Sequence, residues 1–100
     1  MRLPRKVKVG QRWYSVEVVE AMREKAIMGE ICYTDRKITV ASTSNRTGRR
    51  FSQQDFSETF WHELVHAILN DMDHQLASNE KFVEAFSHRL AKAINTAKFQ

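Results

Sequence analysis

The chain has 100 residues, 42% of them hydrophobic and 28% charged, with a formal net charge of +4 and a single cysteine, Cys32. That length allows one domain, residues 1–100, with one modest core. Mixed charge signs argue against disorder, and a lone cysteine excludes an internal disulfide and suits a reducing compartment, the cytoplasm. No apolar run reaches the roughly eighteen residues of a membrane span, and the basic start Met1-Arg2-Leu3-Pro4-Arg5-Lys6 lacks the apolar stretch of a secretory signal.

Lys6-Val7-Lys8-Val9 alternates polar and apolar residues, and Gly10-Gln11 follows as a turn. Arg12-Trp13-Tyr14-Ser15-Val16-Glu17-Val18-Val19 is rich in the aromatic and β-branched residues that fit a pleated surface. Residues 20–27 read either as a short helical turn or as a connection. Glu30-Ile31-Cys32-Tyr33 and Lys37-Ile38-Thr39-Val40-Ala41 form two short strands around Thr34-Asp35-Arg36, a hairpin spacing. Residues 42–50 are a polar loop.

Ser52-Gln53-Gln54-Asp55 then opens a helix, with a hydroxyl N-cap and an acid three residues on. Phe56, Phe60, Leu64, Ile68 and Met72 follow at spacings of four, with Trp61, Val65 and Leu69 beside them, and the helix is expected to end near Asp71-Met72-Asp73-His74. A second helix opens at Ser78 or Asn79, its apolar face drawn from Phe82, Val83, Phe86, Leu90, Ile94 and Ala97. The expected architecture is α+β: a small antiparallel sheet of three to four strands followed by two helices.

The first helix carries His62-Glu63-Leu64-Val65-His66. Residues four apart on a helix point the same way, one turn up, so His62 and His66 can bring two imidazoles to one metal ion, Zn2+. Glu63, at the edge of that face, is placed to take a proton from a water polarised by the metal and so act as general base in peptide hydrolysis. The plain alternative is a pair of surface histidines on a helix. The helical context, mid-segment and well capped, favours the metal.

A catalytic zinc site needs three protein ligands and an open position. Candidates for the third are His74, Glu80, Glu84 and His88. His74 is two turns beyond His66 and can join only if the helix breaks. Glu80 and His88 lie about 12 Å apart along the second helix and cannot both ligate one ion. Geometry leaves Glu80 and Glu84 both open.

With these residues the chain resembles the ImmA/IrrE-type zinc metallopeptidases, in a minimal zincin-like form of the kind common in phages and mobile elements. The likeness runs through the small sheet, the helix with His62-Glu63-Leu64-Val65-His66-Ala67, and the segment Glu80-Lys81-Phe82-Val83-Glu84-Ala85-Phe86-Ser87, where Val83 and Ser87 replace the usual alanines. The resemblance implies Glu80 as third ligand beside His62 and His66, Glu63 as catalytic base, and a cut in a partner protein, with a helix-turn-helix repressor as the expected substrate. A phage-encoded chain of this kind would work in the bacterial cytoplasm.

In zincins the strand before the metal-binding helix often pairs with an extended substrate, which puts forward residues 37–41. Tyr33, Tyr14 and His88 are candidates for stabilising the oxyanion, while Phe60 and Trp61 read as core. Positive charge gathers at residues 2–8 and in the loop with Arg46, Arg49 and Arg50. It allows a nucleic-acid partner without favouring one, since basic runs are usually solvated faces. Two other readings remain: a zinc domain that binds a protein partner without cutting it, and a DNA-associated protease resembling the SprT type, which needs a third histidine.

Overall fold

The computed structural model describes residues 2–24 and 27–99. Strands β1 (Lys6–Val9), β2 (Arg12–Val19), β3 (Gly29–Cys32) and β4 (Lys37–Ala41) precede helix α1 (Gln53–Asp71), a 3₁₀ turn (Gln75–Ser78) and helix α2 (Glu80–Thr96). The architecture is the α+β layout expected, a four-stranded sheet followed by two helices. Within residues 20–27 the described positions, 20–24 and 27, are bends and coil, as a connection would be, and residues 25 and 26 lie outside the described residues.

The sheet is mixed rather than wholly antiparallel. Its order is β1-β2-β4-β3. β1 pairs with β2 and β3 with β4 in antiparallel fashion, but β2 and β4 run parallel, from Ser15 beside Lys37 to Val19 beside Ala41. Parallel neighbours need a long crossover, and here the 20–28 connection and β3 together supply it. The reason β4 lies inside is its burial: Ile38 and Val40 are both fully enclosed. β4 is therefore flanked on both sides and has no free edge for a substrate. β3 is the edge strand on that side of the sheet.

α1 lies across the sheet and closes the core. Val9, Tyr14, Ile38, Val40, Phe60 and Ala67 form its centre, with Phe56, Trp61 and Leu64 packed around them. Phe60 meets Trp61 edge to face at 5.4 Å between ring centroids; enclosing a side chain of this size contributes about 2–3 kcal/mol. Ser52 caps α1 by accepting a hydrogen bond from the Asp55 N–H at 3.1 Å. The apolar spacing overreaches at the far end of α1, where Ile68 and Met72 are exposed.

α2 packs on α1 through a stripe shifted from the expected one, with Val83 common to both. Val83, Ser87 and Ala91 are fully buried, whereas Phe86 is 46% and Ile94 44% exposed. Small side chains at spacings of four let the helices approach closely, and the polar atoms are satisfied locally. Ser87 Oγ donates to the Glu84 carbonyl, and Asn95 Nδ2 donates to Ser57 Oγ at 2.8 Å across the helix pair. Phe86, on the outer face, stacks instead on the half-buried Phe82, with ring centroids 5.7 Å apart. No helix of the described residues is long and apolar enough to cross a membrane.

Candidate metal centre

The middle of α1 places His62, Glu63 and His66 beside the edge of the sheet. One contact explains how close they come. A Cβ on Gly29 would stand 2.6 Å from the Thr59 methyl and 2.8 Å from the Thr39 carbonyl, so only glycine lets β3 lie this near α1. The donor atoms of His62, Glu63 and His66 all fall within 4.8 Å of one another, an arrangement compatible with a metal ion.

Each histidine is positioned by a different device. His66 is buried, and its Nδ1 lies 2.7 Å from the Ala77 carbonyl in the 3₁₀ turn. A carbonyl can only accept, so Nδ1 donates there and Nε2 is the nitrogen left facing Glu80 and the cleft. Such a backbone partner on the far nitrogen is what orients and fixes the tautomer of a metal-ligating histidine. His62 is partly exposed, and its ring meets that of His66 at 5.0 Å between centroids.

Glu80 stands where both rings converge. One carboxylate oxygen lies 2.7 Å from His66 Nε2 and the other 3.2 Å from His62 Nε2. The helix start that delivers it is capped by Asn79, whose Oδ1 accepts from the Phe82 N–H at 3.0 Å.

Glu63 is 8% exposed and, among the described residues, makes no hydrogen bond or ion pair. Burial pushes its carboxyl up to about 7; Glu80 and Glu30 push the same way, against an opposing pull from His66. A base with a pKa near the working pH is suited to taking and returning a proton.

The remaining candidates separate by position. Glu84 lines the same cleft but, among the described residues, forms no hydrogen bond or ion pair with either histidine. The helix does break before His74, yet its Nδ1 is occupied in accepting from the Leu76 N–H at 3.1 Å, which caps the 3₁₀ turn. His88 points its Nδ1 at Glu58, 3.0 Å away. Tyr14 is a core residue. Tyr33 lies in the cleft, its phenol raised above the usual value by burial and then by Tyr14, Glu63 and Glu80. The Ala77 carbonyl carries no side-chain signal in the sequence and was not anticipated. The edge position of β3 was missed as well.

These groups open into one cleft of about 810 Å³ between β3, the His62 face of α1 and the start of α2. No family model, curated protein or solved structure matches the chain. What the centre does must therefore be argued from its own chemistry.

Proposed function

We propose that the chain is a zinc-dependent metallopeptidase, of the kind that the ImmA/IrrE resemblance implies, cutting a peptide bond in a partner protein. The observation that carries the reading is the convergence of Glu80 on both imidazole Nε2 atoms, with Glu63 buried and unpartnered beside them. Donors held about 2.0–2.1 Å from a tetrahedral zinc ion stand roughly 3.3 Å apart. The two nitrogen-to-carboxylate separations, 3.2 and 2.7 Å, lie at and a little below that spacing. Two imidazoles and one carboxylate form a ligand set that catalytic zinc sites use.

His62, His66 and Glu80 would hold the ion, which supplies Lewis acidity toward a water and a peptide carbonyl. Glu63 then accepts the proton of the attacking water and returns it to the departing amine, so one carboxyl serves both half-reactions. The free edge of β3 offers main-chain donors and acceptors to an extended substrate strand beside that carboxyl. Tyr33 lines the same cleft, and its hydroxyl would donate to the oxyanion. The resemblance puts forward a helix-turn-helix repressor as substrate.

The test is metal content and cleavage together. Protein purified without chelator is expected to carry about one zinc per chain, to lose it on His66→Ala, and to keep it but stop cutting on Glu63→Gln. A preparation that takes up no zinc sinks the reading. A non-cutting zinc domain would share the ligands but leave Glu63 without a task. In that case Glu63→Gln leaves the biological effect intact.

A further inference from the structure

The charge of this molecule is divided very unevenly. Six of the twelve carboxylates, Glu30, Asp55, Glu58, Glu63, Glu80 and Glu84, line the cleft, and none of the described Lys or Arg residues does. The cleft is formally −6, while the rest of the sequence, with sixteen cations against six anions, is +10. The acids come from three elements, with Glu30 on β3, four on the successive turns of α1 and α2 nearest the histidines, and Asp55 at the start of α1. A divalent cation at the histidines would leave the cleft at −4.

Two features independent of the charge mark this cleft as a place for a ligand. Glu63 is more than nine-tenths buried, opens into it and has no partner among the described residues. β3 borders it with an unpaired edge, the template an extended chain adds to. Resting on the peptidase reading for the cutting itself, we infer that the cleft selects an extended peptide segment bearing Lys or Arg side chains on either side of the bond to be cut.

Low-dielectric walls of one charge sign focus the field along the cleft. A cationic segment is drawn in, and an acidic one is repelled. Glu30, Asp55 and Glu84 are exposed and free to meet substrate side chains; Glu58 is already engaged with His88. An exposed charge pair is worth a factor of about two to five in affinity, and less at high salt.

The experiment uses full-length, zinc-loaded Glu63→Gln protein, which is expected to bind without cutting. Three fluorescein-labelled twelve-residue peptides of one Ser/Val/Ala background carry three Lys, three Gln or three Glu at the same positions, and Kd is read by anisotropy. The Lys peptide is expected to bind at least tenfold tighter than the Gln peptide in 50 mM salt, the gap narrowing in 500 mM salt, with the Glu peptide weakest. Adding Glu30→Gln, Asp55→Asn and Glu84→Gln together erases the preference. The control set Glu17→Gln, Glu20→Gln and Glu24→Gln, outside the cleft, preserves it. Should the cleft triple variant melt early, Glu84→Lys alone serves, with the Lys peptide weakened about tenfold. Equal affinity for Lys and Gln peptides, or equal loss from both triple sets, overturns the inference. Cleavage of the same peptides by the wild-type protein, read by mass spectrometry, separates the two ideas. Charge-selective binding with no cutting removes the peptidase and keeps the selectivity, and cutting without charge preference does the reverse.

Discussion

α1 and α2 bring their donors to the centre on different terms. His66 and Glu63 come from the middle of a helix sealed against the sheet, and both are almost fully enclosed. Glu80 comes from the first turn of α2, with a side chain 68% exposed. The first pair is fixed by the core and by the Ala77 carbonyl, so its geometry exists before any ligand arrives. The third donor rests on an N-cap and a short turn and can adjust. A centre built this way has a rigid glutamate and histidine and one adaptable carboxylate.

The sharpest way to break that contrast is through chemistry. Glu63→Gln keeps shape and hydrogen-bonding capacity but cannot take a proton, so kcat/KM for peptide hydrolysis should fall by about 10²–10⁴-fold with zinc content unchanged by atomic absorption. Retained activity would show that the buried base is not the base.

Next comes the metal itself. Glu80→Ala and His66→Ala should each weaken zinc binding by more than the roughly 10- to 100-fold that loss of an outer partner costs, measured by competition with a chromogenic chelator. They should differ in stability. Metal-free His66→Ala strands the Ala77 carbonyl and opens a small void, costing about 2 kcal/mol. Metal-free Glu80→Ala should stay within about 0.5 kcal/mol of the parent, since the residue is exposed. Equal destabilisation would mean that both helices are equally rigid.

The enclosed carboxyl also leaves a trace in pH. The Glu63 pKa is raised in the fold from 4.5 to about 7, so metal-free protein binds this proton more tightly when folded. The contribution is fully present below pH 4.5, declines between pH 4.5 and 7 and is lost above 7. Metal-free Glu63→Gln should therefore be more stable than the parent at pH 8, by an amount of order 2–3 kcal/mol, and should show a flatter urea midpoint across pH 5–8. A parent with no slope in that window argues that water reaches the carboxyl.

The smallest effect tests the adaptable side. Asn79→Ala removes the cap of α2 and should cost about 1 kcal/mol in thermal unfolding, along with a modest weakening of zinc affinity as Glu80 loses its anchor.

Much of the fold was legible because it is written locally. β1, β2 and β4 follow from alternation and β-branching at the residues where they occur, and both helix starts follow from Ser52 and Asn79. The convergence of His62 and His66 follows from helical spacing alone. Strand order was not legible, because the parallel pairing of β2 with β4 depends on which strand is most enclosed, a property of the whole sheet. The α2 face was legible at Val83 and misread at Phe86 and Ile94 for a similar reason. Large apolar residues such as Phe86 and Ile94 suggest a buried stripe, but close helix packing selected Val83, Ser87 and Ala91. Geometry alone left Glu80 and Glu84 open, since the deciding factor is the angle at which a 3₁₀ turn hands the chain to α2.

That turn ties two events together. Its Ala77 carbonyl grips His66, and three residues later the same backbone delivers Glu80. A metal held by His62, His66 and Glu80 would clamp the turn from both ends, adding to the contacts that Glu80 already makes with the two imidazoles. In hydrogen exchange the amides of Ala77 and Asn79, bonded to the His74 and Leu76 carbonyls, should slow on zinc addition by a factor that tracks zinc concentration. The turn would then report occupancy of the centre, and a one-residue insertion between Gln75 and Ser78 would uncouple histidine geometry from carboxylate supply without touching any ligand.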